Sequence, residues 1–179
     1  MQFFSVTEVL NLYFNPKGKI PQSRIEDGIA RGNPVHHFCT ETAKQEWVPK
    51  PLLYEGYCNS FLWWLDNCVE EIILVEERLE DVVYGYFGHP DLLVKIKGNR
   101  FPSIIDLKTP ATKSKLWRAQ IAGYDHLALV NGYFPNLDIG GSLRLQPDGR
   151  PPRFDAYEFK EMDFAAFVSL LNWTRWLNG

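Results

Sequence analysis

Cysteine is scarce in this sequence. Only Cys39, Cys58 and Cys68 occur among the 179 residues, and no two of them form a CxxC pair. An odd number of cysteines at such spacings indicates neither a disulfide framework nor a zinc site. We therefore expect reduced thiols in the core of an intracellular, cytoplasmic protein.

Long apolar runs, repeats and linkers are missing as well. No apolar stretch approaches the roughly 20 residues that cross a bilayer, and the N-terminus lacks the basic-then-apolar pattern of a signal peptide. We expect no membrane partner. Because 45% of the residues are hydrophobic and nothing divides the chain, residues 1–179 are predicted to form a single domain with a sizeable core.

A strong net charge is also absent, since the formal charge is -3 and the pI is about 5.8. A protein that coats nucleic acid non-specifically would be far more basic. The charge is uneven, however, because seven basic residues share one stretch with a single acid, Asp106. They are Lys95, Lys97, Arg100, Lys108, Lys113, Lys115 and Arg118. We expect this stripe to surround a site for a phosphate backbone, with a solvated charge run as the alternative for Lys113 and Lys115.

The most informative stretch begins at Asp91. Alternating apolar residues run from there to a Gly98-Asn99 turn, and a second strand returns over 103–109. Side chains two apart on a strand share a face, so Asp106 and Lys108 project together. If the two strands pair as a hairpin, Asp91 can face Asp106.

Two facing carboxylates repel each other and favour a cation between them, and hard divalent ions take oxygen ligands. A lysine beside that ion can position a water molecule or balance the charge that develops on a phosphate. The pattern therefore indicates a metal-dependent phosphodiesterase. A surface hairpin with scattered charges explains the same spacing equally well.

A helix is predicted over 115–130, where Gln120 and Tyr124 lie four residues apart and so share a face. The pair can point together toward the strand that carries Asp106 and Lys108. From the helix pattern alone, Tyr124 would be a core residue and Gln120 would face solvent.

Four short motifs, in this order along the chain, resemble the PD-(D/E)xK nuclease superfamily and its RecB-like, phage-type exonuclease branch. Arg31 to His36 resembles the RGxxxH motif of that branch, and His89-Pro90-Asp91 followed by Asp106-Leu107-Lys108 is similar to the nuclease signature. Gln120 to Tyr124 resembles the QxxxY helix motif. The resemblance covers about residues 5–145.

The resemblance implies an α/β fold with a restriction-endonuclease-like core, in which helices flank a central mixed β-sheet. Asp91 and Asp106 would hold Mg²⁺ or Mn²⁺, with His36 and the backbone carbonyl of Leu107 as further ligands. An imidazole ligand favours Mn²⁺ more than an all-oxygen site does. His37, the next residue along the helix, points about 100° away from His36 and is expected to be structural.

The remaining site residues follow from the same resemblance. Lys108 would place the water molecule or balance the growing negative charge, and Gln120 and Tyr124 would orient Lys108 or contact DNA. Glu76 lies in a predicted strand, where some relatives carry an additional acidic residue near the metal. An exposed strand glutamate is the alternative.

The implied function is metal-dependent DNA hydrolysis by an exonuclease, acting on single strands or duplex ends in DNA recombination or processing. If the protein is phage-encoded, the host cytoplasm is its expected location and a recombination or annealing protein a candidate partner. No Walker A loop is present, so a helicase would be a separate protein, and no interface motif indicates an oligomeric state. Two alternatives stay open: a catalytically silent nuclease-like module that binds nucleic acid or protein, and a hydrolase of another phosphate ester.

Local signals predict the other elements. A capping box at Ser5 to Glu8 begins a short helix, and a helix over 22–30 ends at Gly32 before Asn33-Pro34 begins another. A mostly buried helix follows Pro51. Strands over 71–80, 82–87, 90–97 and 102–109 are expected to form one largely antiparallel meander. A hairpin of 137–146 with 154–159 precedes a last helix that Asp163 caps.

Overall fold

The computed structural model describes residues 2–15, 18–133, 140–157 and 160–179. These residues form five α-helices: α1 Val6–Phe14, α2 Gln22–Ala43, α3 Glu55–Cys68, α4 Leu116–Val130 and α5 Lys160–Asn178. A single 3₁₀ turn, Leu52–Tyr54, precedes α3. The strands are β1 Phe4–Ser5, β2 Val69–Val75, β3 Leu79–Asp81, β4 Tyr86–Gly88, β5 Leu92–Ile96, β6 Ser103–Lys108, β7 Gly140–Arg144 and β8 Arg153–Tyr157.

The strands form a large sheet of order β2-β5-β6-β7-β8 and a small one of order β1-β4-β3. In the large sheet β7 runs parallel to β6, whereas the other neighbours are antiparallel. The sheet is therefore mixed. A parallel neighbour needs a crossover connection, and α4 lies in the segment between β6 and β7.

Helices cover both faces of the large sheet. Core residues of α1, α4 and α5 pack with Leu93 and Ile104 on one face. Those of α2 and α3 pack with Leu92 and Ile105 on the other face, because neighbouring strand residues point to opposite sides. The predicted α/β class with a central mixed sheet flanked by helices is confirmed, and the arrangement is consistent with a restriction-endonuclease-like core.

Several local predictions are confirmed. Ser5 and Glu8 form the capping box of α1, with Ser5 Oγ accepting from the Glu8 N–H at 3.1 Å. Helix α4 has the predicted extent, and Gly132 follows it with φ +77°, as expected for a helix C-terminus. Strands β7 and β8 pair as the predicted hairpin; the parts predicted at 137–139 and 158–159 lie outside the described residues.

The predicted break at Gly32 is wrong, because α2 continues through Pro34. Proline removes one helical hydrogen bond, but the residues that follow it pack into the core on the α2–α3 face: Val35, Phe38, Cys39 and Ala43. Their spacing keeps one helical face buried. This packing holds the second half of α2 in line with its mostly exposed first half.

The predicted meander is also wrong, since β3 and β4 belong to the small sheet. Glu76 has φ +52°, a left-handed conformation that carries the chain out of the large sheet after β2. Its N–H donates to the Pro90 and Asp91 carbonyls at 3.1 and 3.2 Å. A positive φ at a glutamate is not visible in the residue pattern.

Two smaller expectations differ from the structure. Leu52 and Leu53 are exposed, because α3 begins only at Glu55 and buries other residues. Asp163 lies inside the first turn of α5 and pairs with Arg118 at 2.8 Å, so it is not the cap. No helix within the described ranges is long and apolar enough to cross a membrane.

Asp81 fixes the turn between β3 and β4. Its Oδ1 accepts from the N–H groups of Val83 and Tyr84 at 2.7 and 3.0 Å, and its Oδ2 lies 2.8 Å from His126 Nε2. Burial alone would raise the pKa of Asp81, but the Tyr84, His126 and Val83 donors lower it below its usual value. A carboxyl group whose pKa is lower in the folded state than in the unfolded state stabilises the fold above the unfolded-state pKa. This stabilisation is lost as the pH falls through the folded-state pKa.

We therefore expect Asp81→Asn to lower the free energy of unfolding at pH 7 by about 1–3 kcal/mol, because the turn loses a charged acceptor. The deficit should shrink as the pH falls below about 4, because the unfolded chain then binds a proton at Asp81 while the folded carboxylate, with its lower pKa, resists protonation. Urea unfolding at pH 7, 5 and 3.5 measures both effects. Glu80→Gln, at the exposed neighbour, is the control, and a deficit that stayed constant with pH would contradict the prediction.

Candidate active site

An open cleft of about 460 Å³ lies at the ends of β5 and β6 that are remote from their connecting turn. Leu92 pairs with Ile105, and this register places Asp91 beside Asp106, as the predicted hairpin requires. The cleft gathers residues from α1, α2, α4 and the strand ends. Among them are Thr7, His36, Glu76, His89, Asp91, Asp106, Leu107, Lys108, Gln120 and Tyr124.

Asp91 is 9% exposed, and each of its two carboxylate oxygens has a partner. Its Oδ2 accepts from the Leu107 N–H at 2.6 Å, and its Oδ1 lies 2.9 Å from His36 Nε2. Burial alone would raise the pKa of Asp91, but the imidazolium of His36 and the ammonium of Lys108 hold it below its usual value. The Asp91 carboxylate is therefore ionised at neutral pH.

Asp106 is more deeply buried, at 2% exposure. Its Oδ2 lies 2.6 Å from Lys108 Nζ but has no properly directed hydrogen bond. Burial raises the pKa of Asp106 to about 6, with Lys108 opposing and the Asp91 charge adding to the rise. The surroundings of Asp106 thus disfavour its ionised form, whereas the surroundings of Asp91 favour the ionised form of Asp91.

Lys108 is held by a chain of polar groups from α4 and α1. Its Nζ donates to Gln120 Oε1 at 3.0 Å, and Gln120 Nε2 donates to the Tyr124 hydroxyl at 3.5 Å. Thr7 Oγ1 lies 3.4 Å from the same hydroxyl. The structure brings Gln120 and Tyr124 to Lys108, and Gln120 is half-buried here rather than facing solvent.

Tyr124 occupies a tight position. It is 3% exposed, and burial raises its pKa. A Cβ at Gly88 would lie 2.6 Å from Tyr124 Cε1. Glycine is therefore required at position 88 for the ring to reach Gln120.

His36 and Glu76 form the other wall. His36 Nδ1 lies 3.4 Å from Glu76 Oε1, and Lys44 Nζ lies 3.4 Å from Glu76 Oε2. Burial alone would lower the pKa of His36, but Asp91 and then Glu76 raise it to about 9. Glu76 thus contacts the histidine and a lysine, and its left-handed backbone is the kind of strain that concentrates at functional sites. His37 is exposed and outside the cleft lining.

The basic residues do not all surround this cleft. Lys95 pairs with Glu70 at 2.7 Å, Lys97 donates to the Asp66 carbonyl at 2.7 Å, and Arg100 lies over Phe101. These three lie toward the turn end of the β5–β6 hairpin, so their expected position around Asp106 is wrong. Because each strand residue advances the chain by about 3.3 Å, the turn end of the hairpin is well separated from the end that carries Asp106. Their contact with DNA stays a prediction.

The other basic candidates follow β6. Lys113 forms an ion pair with Asp155, and Arg118 pairs with Asp163 at 2.8 Å. Lys115 is exposed at the start of α4. These residues are closer along the chain to Lys108 and stay DNA-contact candidates.

Sequence reasoning missed two groups at the site. Thr7 comes from α1, and no spacing rule links it to Tyr124. Arg144 pairs with Lys108 across β6 and β7, donates to Asp155 at 2.5 Å and to the Ala111 carbonyl at 2.7 Å, and so ties the segment after Lys108 to the sheet. The available signal was a charged residue between Leu143 and Leu145 at the end of β7.

The donor groups suit a hard divalent ion in type, since they are two buried carboxylates and an imidazole, and Asp106 Oδ2 has no directed hydrogen bond. The arrangement of these groups, however, is not that of a formed metal site. In the part of the chain that the structure describes, no group of three or more His, Cys, Asp or Glu side chains is disposed around one metal position. His36 Nε2 faces Asp91 directly, so a shared ion would require the imidazole to give up that contact.

Comparison with known proteins gives similarity in structure but not in sequence. No family model and no curated protein matches the chain. An alkaline exonuclease, LHK-Exo from Laribacter hongkongensis, is a structural neighbour with a TM-score of 0.37 and 14% sequence identity, over 97% of this chain and 90% of that one. At this TM-score the likeness carries no functional assignment.

Proposed function

We propose that the chain acts as a divalent-metal-dependent deoxyribonuclease of the PD-(D/E)xK type, an exonuclease that hydrolyses phosphodiester bonds. One observation supports this most: the buried Asp91–Asp106 pair lies in the same open cleft as Lys108, whose ammonium is held by Gln120. A structural ion pair would need neither the second carboxylate nor the support from α4. The whole chain, residues 1–179, is proposed to act as one domain.

Asp91 and Asp106 would hold Mg²⁺ or Mn²⁺, with His36 and the Leu107 carbonyl as additional ligands and Glu76 as a neighbouring acid. A bound ion of this kind lowers the pKa of a water molecule and polarises a phosphate. Asp91 is prepared for this role, because its charge is already favoured by the Leu107 N–H and His36. Asp106 would gain from a cation, because burial beside Asp91 disfavours its charge.

Lys108 would stabilise the negative charge that grows on the phosphate as the bond to water forms. Preorganised cations are effective here because they need no reorganisation during the reaction. Gln120 Oε1 removes part of the rotational freedom of the ammonium, and Tyr124 and Thr7 fix Gln120 in turn. Gln120 and Tyr124 are therefore positioning residues in this proposal.

DNA is the proposed substrate because the cleft is open rather than enclosed, and because basic residues follow Lys108 along the chain at the start of α4. Single-strand or duplex ends would enter it. Action in DNA recombination or processing, with a recombination or annealing protein as partner, belongs to the same proposal and rests on the motif resemblance.

The direct test is digestion of 5′- and 3′-labelled single- and double-stranded DNA with Mg²⁺, Mn²⁺ or EDTA. We expect metal-dependent cleavage whose product ladder shows the polarity and the preferred strand form. Folded protein that cleaves none of these substrates with either metal would overturn the proposal.

A catalytically silent binding module is the second candidate. The observation that favours it is that the chain's own cations, His36 and Lys108, already face the two carboxylates. Such a module would bind DNA equally well with EDTA, and its affinity would fall steeply with salt. DNA binding without cleavage therefore distinguishes it from a nuclease.

A further inference from the structure

A second cavity, of about 180 Å³, lies on the other side of Lys108, between α1 and the start of α4. Lys108 and Gln120 belong to the lining of both this cavity and the active-site cleft, and Thr7 borders both as well. The two spaces therefore meet at the ammonium group. We call the smaller one the α1–α4 pocket.

The walls of the α1–α4 pocket are mainly apolar and partly aromatic. Leu10 and Phe14 come from α1, and Leu116 and Trp117 come from α4. Phe14 is 49% exposed, an unusual position for a phenylalanine, whereas Trp117 is 8% exposed and provides a fixed ring. Lys108 Nζ lies 5.5 Å from the Trp117 ring centre, which places the cation at the border between the aromatic wall and the carboxylates.

The other five residues that line the pocket are polar: Thr7, Asn11, Lys108, Ser114 and Gln120. Asn11 lies one helical turn before Phe14 on α1, and Ser114 Oγ accepts from the Leu116 N–H at 3.2 Å. Apolar and aromatic walls beside convergent polar groups are typical of a small-molecule site. Its size is also specific, because a cavity of about 150 Å³ holds one benzene molecule. A single planar ring system fits this volume and a base pair does not.

We propose that the α1–α4 pocket binds one unpaired nucleobase, that of the nucleotide whose phosphate lies at Lys108. The proposal rests on the proposed nuclease function, because it takes the occupant from the phosphate chemistry of the adjoining cleft. The base stacks on the aromatic wall formed by Phe14 and Trp117, as bases do in single-strand binding sites. Stacking of this kind tolerates every base, since each has a π-face.

This geometry names the substrate class more closely. A base inside the α1–α4 pocket cannot be paired, so the reacting nucleotide belongs to a single strand or to an end whose last pair has opened. Unpairing costs energy, which would make single-stranded DNA the faster substrate.

Binding of small probes tests the pocket separately from cleavage. We would titrate the protein in EDTA with dAMP and with 2-deoxyribose 5-phosphate, following tryptophan fluorescence. The two probes differ only in the base. We expect dAMP to bind at least tenfold more tightly and to quench fluorescence, and Trp117→Phe to remove most of the quench.

Phe14→Ala should weaken dAMP binding by about tenfold, as the loss of one stacking partner does. The same variant should raise KM for single-stranded DNA and leave kcat nearly unchanged, because Phe14 lines the α1–α4 pocket and not the cleft that holds the carboxylates. Leu12→Ala is the matched control, since Leu12 is on the same helix and 51% exposed but outside the pocket lining. It should behave like wild type in both assays.

The outcomes separate the two proposals. If DNA is cleaved but dAMP and the sugar phosphate bind equally, or Phe14→Ala matches Leu12→Ala, the nucleobase pocket is overturned and the nuclease stands. If dAMP binds through Phe14 and no DNA is cleaved, the pocket stands and the nuclease falls.

Discussion

Replacing Lys108 by methionine should lower kcat for DNA cleavage by about 10²–10³-fold, the usual effect of removing one preorganised group that stabilises transition-state charge. Methionine keeps most of the side-chain length and its packing against Trp117 but removes the ammonium that lies 2.6 Å from Asp106 and 3.0 Å from Gln120. Single-turnover cleavage of labelled DNA measures the chemical step.

The matched control is Lys50→Met, a change at a lysine that donates to Asn59 outside the cleft lining. It should cleave at the wild-type rate. Circular dichroism and urea unfolding must show both variants folded. If Lys108→Met cleaved DNA within a few-fold of wild type, Lys108 would have only a structural role, and the proposed mechanism would lose its charge-stabilising group.

Replacing Asp106 by asparagine should abolish cleavage and at the same time stabilise the metal-free protein. The carboxylate is buried beside Asp91, and its pKa of about 6, against the ordinary 3.8, measures the cost of keeping it charged. At about 1.4 kcal/mol per pKa unit, the gain at pH 8 is about 3 kcal/mol. The amide keeps the shape of the side chain without the charge.

Asp91→Asn is the contrasting variant. The Asp91 charge is favoured by His36 and the Leu107 N–H, so its loss should destabilise the protein although it also abolishes cleavage.

The stabilising effect of Asp106→Asn depends on pH. Because the pKa of Asp106 is raised, the folded state holds a proton at Asp106 more readily than the unfolded state does. The effect of the substitution therefore grows with pH from about 4 to 7.

Urea unfolding of both variants in EDTA, at pH 4, 6 and 8, measures these differences. Mn²⁺ titration calorimetry should show weaker binding in each variant than in wild type. A loss of stability in Asp106→Asn at pH 8 would mean that the Lys108 ion pair outweighs the burial of the charge. Unchanged Mn²⁺ binding in both variants would contradict their proposed role as ligands.

The sequence is informative about the site where short-range geometry decides the positions. The alternation of β5 and β6 and the turn between them are enough to bring Asp91 beside Asp106. A four-residue helical spacing is enough to align Gln120 with Tyr124. Both positions follow from the periodicity of strands and helices, so they can be predicted without knowing the rest of the fold.

The errors arise where distant contacts decide. Pro34 is a local signal for a helix boundary, but core packing of Val35 and Phe38 overrides it. Lys97 is near Asp106 in sequence and far from it in space, because a strand extends rather than folds back. The contact of Thr7 with Tyr124 joins residues 117 positions apart, and no periodic pattern reports such a pair.

The central position of β6 determines how the carboxylate pair behaves when parts of the protein unfold locally. The Leu107 N–H donates to the buried Asp91 carboxylate within a strand that has a neighbour on each side and helices on both faces. Amides in such a setting exchange their hydrogens only through the largest, near-global fluctuations, whereas the exposed first half of α2 opens at little cost. The carboxylate pair therefore belongs to the last cooperative unit to come apart, and protection of the Leu107 amide reports that Asp91 still lies against β6.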